Sequence, residues 1–315
     1  MKSTLGWLRA LAAPLLTALI FALIFRKVPF ERFVHALAEA NLVRFFAALL
    51  PFSVLYFALD TLVLTAVTRW FHGRLDFKEL LPVRAVDYLV SIVNHKLSQG
   101  AIVLYLSRKL KVPVLEVAST MVFLDLLQKT HLVLWATVGM LLMAGAVPRG
   151  LYFVPAAAVA LWSLFLLYVR SKFAPNWRLL RTFKLAGASR YAQVLLLKAP
   201  LLLASVCVHQ WALTSFGIEV PFLRLLATLP IIFLAGALPV TVAHLGTTQA
   251  AWLFFHGNAS DAASLLAYSL AAHLTFMLAN AALGASFLPR AYRELFSESQ
   301  RAVPAPLPEQ AVRWS

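Results

Sequence analysis

Long apolar stretches, too many for any single soluble core, set what this chain can become. Trp7 to Phe25, Phe45 to Thr68, Pro113 to about Ala144, Leu151 to Val169, Tyr191 to Phe216 and Asp261 to Leu288 each reach the roughly 20 residues that cross about 30 Å of hydrocarbon. No water in a bilayer satisfies backbone polar groups, so such stretches must be helices or a closed barrel. Runs of Leu, Ala and Val without period-2 alternation exclude the barrel. Composition agrees: 61% of residues are hydrophobic and 13% charged, against about half and about a quarter in soluble domains. The expectation is an all-α integral membrane protein with about six full spans. Its single transmembrane domain covers 1–296, and the polar end at 297–315, with Pro304, Pro306 and Pro308, reads as a disordered tail.

The formal charge of +15 could suggest a nucleic-acid partner, but the lysines and arginines gather in the connections between spans. That is the positive-inside pattern of a membrane protein, with no nucleic acid implied. It places 69–84, 108–111, 170–190 and 290–313 in the cytoplasm, C-terminal tail included, for a chain in the inner (plasma) membrane. Arg26, Lys27, Arg32 and Arg44 then fall outside, partly offset by Glu31 and Glu39. No acid occurs between Asp125 and Glu219. In that tract, Trp177, Leu180, Phe183 and Leu185 have the spacing of an interfacial helix on an anionic leaflet. The first stretch is long for the apolar region of a signal peptide and lacks a small-x-small site, so it reads as a retained span. The lone Cys207 permits no intramolecular disulfide.

Two further stretches are apolar but interrupted. In 83–107 the interruptions are Asp87, Asn94, His95, Lys96, Ser98 and Gln99; in 221–256 they are Pro230, Gly236, Pro239 and Gly246. Each reads as a broken or re-entrant segment, the first bending at Gly100, because irregular backbone survives in a membrane only within protein or beside a wet cavity. Aligning Gly100 with Gly246 makes two similar units, each a broken segment feeding a long helix. The intervening crossings are odd in number, so the units would be inverted, as in transporters that bind substrate between two discontinuous helices. Chance similarity between apolar sequences is the rival explanation.

The stretch Leu238-Pro239-Val240-Thr241-Val242-Ala243-His244-Leu245-Gly246-Thr247-Thr248-Gln249-Ala250-Ala251 resembles a conserved region of one family. That family is the flippase-like membrane region of lysylphosphatidylglycerol synthases, whose pattern there is L-P-x-x-x-G-G-L-G-x-R-E-A-A. Gly100 to Asp125 resembles the family's other conserved region, and the likeness covers roughly 30–290. His244, Thr248 and Gln249 stand where the family has glycine, arginine and glutamate. The resemblance implies lipid-linked translocation by a stand-alone membrane domain without an aminoacyltransferase part.

An ionisable group inside a membrane is a functional hypothesis by default. Asp60 lies midway along the second span, either functional or paired with Lys96. Asp125 and Lys129, at i and i+4 with Gln128 beside them, form either a structural ion pair or part of a headgroup path. His95 and Lys96, near Ser98, Gln99 and Gly100, could contact a phosphate or form a membrane-surface polar cluster. His244, Gly246, Thr247, Thr248 and Gln249, at the start of a helix, offer N–H groups and hydroxyls to an anion. His273 and Asn280 share a face of the last span and either line the cavity or bond a neighbouring helix. The five membrane-region histidines have no metal-ligand spacing, and no catalytic motif or nucleotide loop is found, so no metal or cofactor is expected. The leading expectation is a lipid translocator, more transporter than enzyme, acting on anionic or lipid-linked headgroups. The alternatives are a membrane-embedded transferase and a scaffold for a lipid-modifying enzyme partner.

Overall fold

The structure is a computed structural model. It describes residues 2–301 apart from 94, 239, 240, 242, 243 and 259, and the backbone alone for 2–13, 93, 95 and 295–301. The expected tail from 302 onward lies outside the described residues, while the last helix runs on through 297 to Arg301. Among the described residues there are α-helices and short 3₁₀ turns but no strand. In chain order the helices are α1 (Lys2–Lys27), α2 (Phe30–Glu39), α3 (Leu42–His72), α4 (Phe77–Val93), α5 (His95–Leu110) and α6 (Val114–Leu142). There follow α7 (Val154–Arg170), α8 (Arg181–Leu185), α9 (Ala188–Thr214), α10 (Phe222–Gly236), α11 (Thr247–His256) and α12 (Ala262–Arg301).

Five of the described helical stretches are long and apolar enough to cross a membrane: Leu42–His72, Val114–Leu142, Arg149–Arg170, Ala188–Thr214 and Ala262–Glu294. Together they make a multi-pass membrane protein, and α1 covers the first apolar stretch. Local chemistry starts these helices. Asn41 Oδ1 accepts from Arg44 N at 3.0 Å to cap α3. Pro113 and Pro221 precede α6 and α10. Asp261 caps α12 by accepting from Ser264 N at 2.7 Å.

The interrupted stretches are helical hairpins. The first, α4–α5, starts at Phe77 and its two helices part between Val93 and His95, not at Gly100, which sits inside α5. At 1.5 Å per residue α4 reaches about 25 Å, just short of the hydrocarbon thickness. The second, α10–α11, is parted by residues 237–246, and its first arm is about 22 Å long.

Packing arranges these parts as two equivalent units, α3–α6 and α9–α12, each a long helix, a hairpin and a second long helix. The leading helices α3 and α9 pack antiparallel. Asn41 N donates to Ser215 O at 2.9 Å at one end, and Arg190 sits 4.5 Å above the Trp70 ring at the other. The hairpins are exchanged: α4 packs along α12 of the other unit, and α10 along α6. Both exchanged contacts are made close by a glycine. A Cβ on Gly139 of α6 would lie 2.4 Å from Ala227 N of α10, and one on Gly284 of α12 would lie 2.7 Å from Ala85 O of α4. Small residues at such crossings let helix backbones approach and gain dispersion contacts in lipid. With hairpins that enter and return, two crossings, α6 and α7, separate α3 from α9, which matches their antiparallel packing and makes the two units inverted.

The apolar core divides accordingly. One buried cluster joins Phe45 and Leu49 of α3 to α10, α11 and α12. The other joins Val63, Leu64 and Val67 of α3 to α4, α5 and the start of α6. The two stop short of each other between Leu49 and Val63 on α3, Leu127 and Ala136 on α6, and Val194 and Val206 on α9.

Candidate functional site

That gap holds buried apolar residues such as Phe57 and Leu132 and, among them, a polar cluster. Asp60 of α3 occupies it, about 27 Å along the helix from Leu42 and about 18 Å from His72. Its Oδ2 accepts from Arg84 Nη2 and from Tyr88 Oη of α4, both at 2.9 Å. Its Oδ1 lies 3.5 Å from Lys198 Nζ of α9. Arg84 uses Nη1 to hold Asp87, and the Ser98 hydroxyl of α5 also bonds the Asp87 carboxylate, which ties the hairpin's arms together. The guanidinium of Arg84 sits 4.8 Å over the Tyr88 ring. The side chains of Asp60, Arg84, Asp87 and Lys198 are 14%, 19%, 7% and 7% exposed. Two carboxylates and two cations, removed from water in mid-span, make a neutral quartet.

Such a quartet is weak evidence for stability, because desolvation offsets the Coulomb gain, but removing one member leaves an uncompensated buried charge. Beside it lies His131 of α6, 2% exposed and within the electrostatic reach of Lys198. Its Nε2 accepts from Trp135 Nε1 at 2.9 Å, so Nδ1 carries the proton of the neutral ring. That Nδ1 and the Nε of Arg84 are both buried with no hydrogen-bond partner. Lys198 belongs to one unit, and Asp60, Arg84, Asp87 and His131 to the other. The quartet is therefore a seam between the inverted halves.

Asp60 is thus a member of the site that sequence reasoning singled out, but its partners are Arg84 and Lys198 where Lys96 was expected. Arg84 read as part of a basic connection and proves to be buried in the hairpin. Lys198 and the place of His131 were missed. A signal for Lys198 existed: it is a lone cation in an apolar span, inside a tract with no acid from 126 to 218. Its counter-charge had to come from another helix, and Asp60 was the lone acid of its own span.

The other expected residues fall elsewhere. Lys96, Gln99 and Gly100 are exposed on α5, while Ser98 turns inward; the side chain of His95 lies outside the described residues. Asp125 and Lys129 do pair, on an exposed face of α6 shared with Val122, away from the seam. At the second hairpin Gln249 is fully buried and committed to the fold. Its Oε1 accepts from Gly246 N at 2.7 Å, and its Nε2 reaches Ser269 O of α12 at 3.5 Å. The hydroxyls of Thr247 and Thr248 donate to His244 O at 3.1 and 3.3 Å, so they close the turn instead of facing an anion. His273 is half-buried on α12, and Asn280 on the same helix is buried.

The tract 170–190 departs from the expected single amphipathic helix. It forms a 3₁₀ turn at Arg178–Leu180 followed by α8, locked onto the start of α6. Arg181 pairs with Glu116 at 2.5 Å, Thr182 meets Thr120 at 2.8 Å, and Phe183 packs against Phe123 at 5.4 Å. Phe173, Trp177 and Leu185 stay exposed.

Comparison with known protein families and with curated sequences finds no match to this chain.

Proposed function

We propose that this chain is a lipid translocator, in which the charged seam carries a polar headgroup across while the acyl or prenyl chains stay in the bilayer. The observation that carries the reading is the site's position: a buried quartet of opposite charges where two inverted helix–hairpin–helix units meet. Inverted repeats with discontinuous helices place substrate sites near the bilayer midplane between the repeats. The resemblance of 238–251 and 100–125 to the flippase-like membrane region supports the same reading. In this account the basic segments 69–78, 108–111 and 170–190 face the cytoplasm of a cell's inner membrane, as does the C-terminal tail, while Arg84 is withdrawn into the seam. They draw anionic lipid towards the protein by about 1 kcal/mol for each basic residue near the surface. A lipid-modifying enzyme would be its natural partner, as supplier or consumer of the carried lipid.

The test is headgroup movement in liposomes that contain the purified protein and a trace of headgroup-labelled phosphatidylglycerol, with an impermeant reductant added outside. Translocation makes the protected inner-leaflet label accessible well above the protein-free rate, and Lys198→Gln returns it to that rate. Protein-free rates for the unaltered chain, with every anionic and zwitterionic lipid tried, would defeat the reading.

A further inference from the structure

We infer that the group this seam carries is a phosphate monoanion, and that it enters together with one proton, which is held on Asp60. The inference rests on the translocation reading but concerns what is bound and what drives it.

Charge balance is the first argument. Asp60, Asp87, Arg84 and Lys198 sum to zero in a site removed from water. A monoanion added to this site would leave a net negative charge in a low-dielectric interior, which is strongly disfavoured. One proton arriving with it restores neutrality. Donor inventory is the second. Two donors, Arg84 Nε in the site and His131 Nδ1 near it, are buried without partners. Lys198, with three N–H donors, makes a 3.5 Å contact with Asp60 Oδ1, beyond a good hydrogen bond. A phosphodiester brings charged acceptor oxygens that take up such donors, as a cationic group would not.

The same geometry locates the proton. Asp60 Oδ2 is held by Arg84 and Tyr88, whereas Oδ1 faces Lys198 alone among the contacts described. When a phosphate oxygen takes over Lys198, Oδ1 loses its cation. A proton from the aqueous phase then forms an O–H bond there, and no other bond changes. The groups facing Asp60 are Arg84 and Tyr88 from α4, Lys198 from α9 and Tyr56 from its own helix. Through α12, Phe276 packs edge-on to Tyr56 at 5.5 Å, and through α6, His131 faces Lys198. Because Lys198 and Asp60 belong to opposite units, protonation also unties them, so loading and relative movement of the units are linked.

Phosphate could arrive on a lipid or free, so the experiment has two arms. Liposomes holding a trapped pH dye receive labelled phosphatidylglycerol in one arm and radiolabelled inorganic phosphate in the other. The expected result is headgroup crossing with one proton per headgroup, faster as the pH on the loading side falls. Asp60→Asn should keep crossing but lose both proton movement and pH dependence, while Lys198→Gln should lose crossing. Lipid crossing by the unaltered chain without proton movement would overturn the inference and leave the translocation reading standing. Uptake of inorganic phosphate with protons, and no lipid movement, would uphold the inference and defeat that reading. If Asp60→Asn does not fold, as judged by its melting curve, the proton count of the unaltered chain decides alone.

Discussion

The two hairpins occupy equivalent places in the fold and use their polar residues differently. In α4–α5 the polar groups are charged and point at other elements: Arg84 at Asp60 of α3, and Asp87 at Arg84 and at Ser98 across the hairpin. In α10–α11 they stay within the hairpin: the one cation, Arg224, donates to Phe255 O, Thr228 meets His256, and Gln249, Thr247 and Thr248 close the turn before α11. A shared scaffold therefore carries two jobs. The second hairpin is braced by hydrogen bonds, while the first delivers charge to the seam. The stretch 238–251 falls on the braced hairpin and the ionic cluster on the other.

The largest effects should come from the charged side of this comparison. Asp60→Leu or Lys198→Met leaves a buried charge uncompensated and should cost about 3–5 kcal/mol of stability in detergent melting. The double Asp60→Asn/Lys198→Gln variant should lose much less than the sum of its single changes. Additive losses would mean that the two residues do not pair across the units. Next come the exchanged crossings. Gly139→Leu and Gly284→Leu should each destabilise by about 1–3 kcal/mol or more, since the added side chain meets backbone. Similar losses sharpen the equivalence of the units; tolerance at one and not the other breaks it.

In the second hairpin, Gln249→Leu should cost about 1–3 kcal/mol by leaving Gly246 N–H unpaired in the interior. It should spare proton movement, and loss of proton movement in a folded Gln249→Leu protein would put the second hairpin at the site after all. The smallest change is expected at Asp125→Asn, about 0.5 kcal/mol or less by chemical denaturation, because the pair with Lys129 is local and exposed.

Much of this fold was legible in the chain because a bilayer admits few solutions. Apolar length gave the long helices, and misplaced polar residues marked the two hairpins. Bend positions were harder. Gly100 looked like a breaker, yet glycine is tolerated within membrane helices, and the two helices part between Val93 and His95. The seam was half visible. Asp60 stood out as a charge without a local partner, but Arg84 sat in a run of basic residues that reads equally well as a surface connection. Lys198 was hidden by the apolar residues around it. Pairing between distant helices is a property of packing and leaves no periodic trace in sequence; only the balance of lone charges among spans could have revealed it.

The central claim is that the two units are inverted, with hairpins entering from opposite faces so that their charges and helices meet in mid-membrane. Impermeant maleimide labelling of single cysteines in sealed vesicles tests it most directly, with the exposed Cys207 first replaced by serine. Lys78→Cys, at the mouth of the first hairpin, should label from one side only, and Glu219→Cys, at the mouth of the second, only from the other. Labelling of both from the same side would contradict the account.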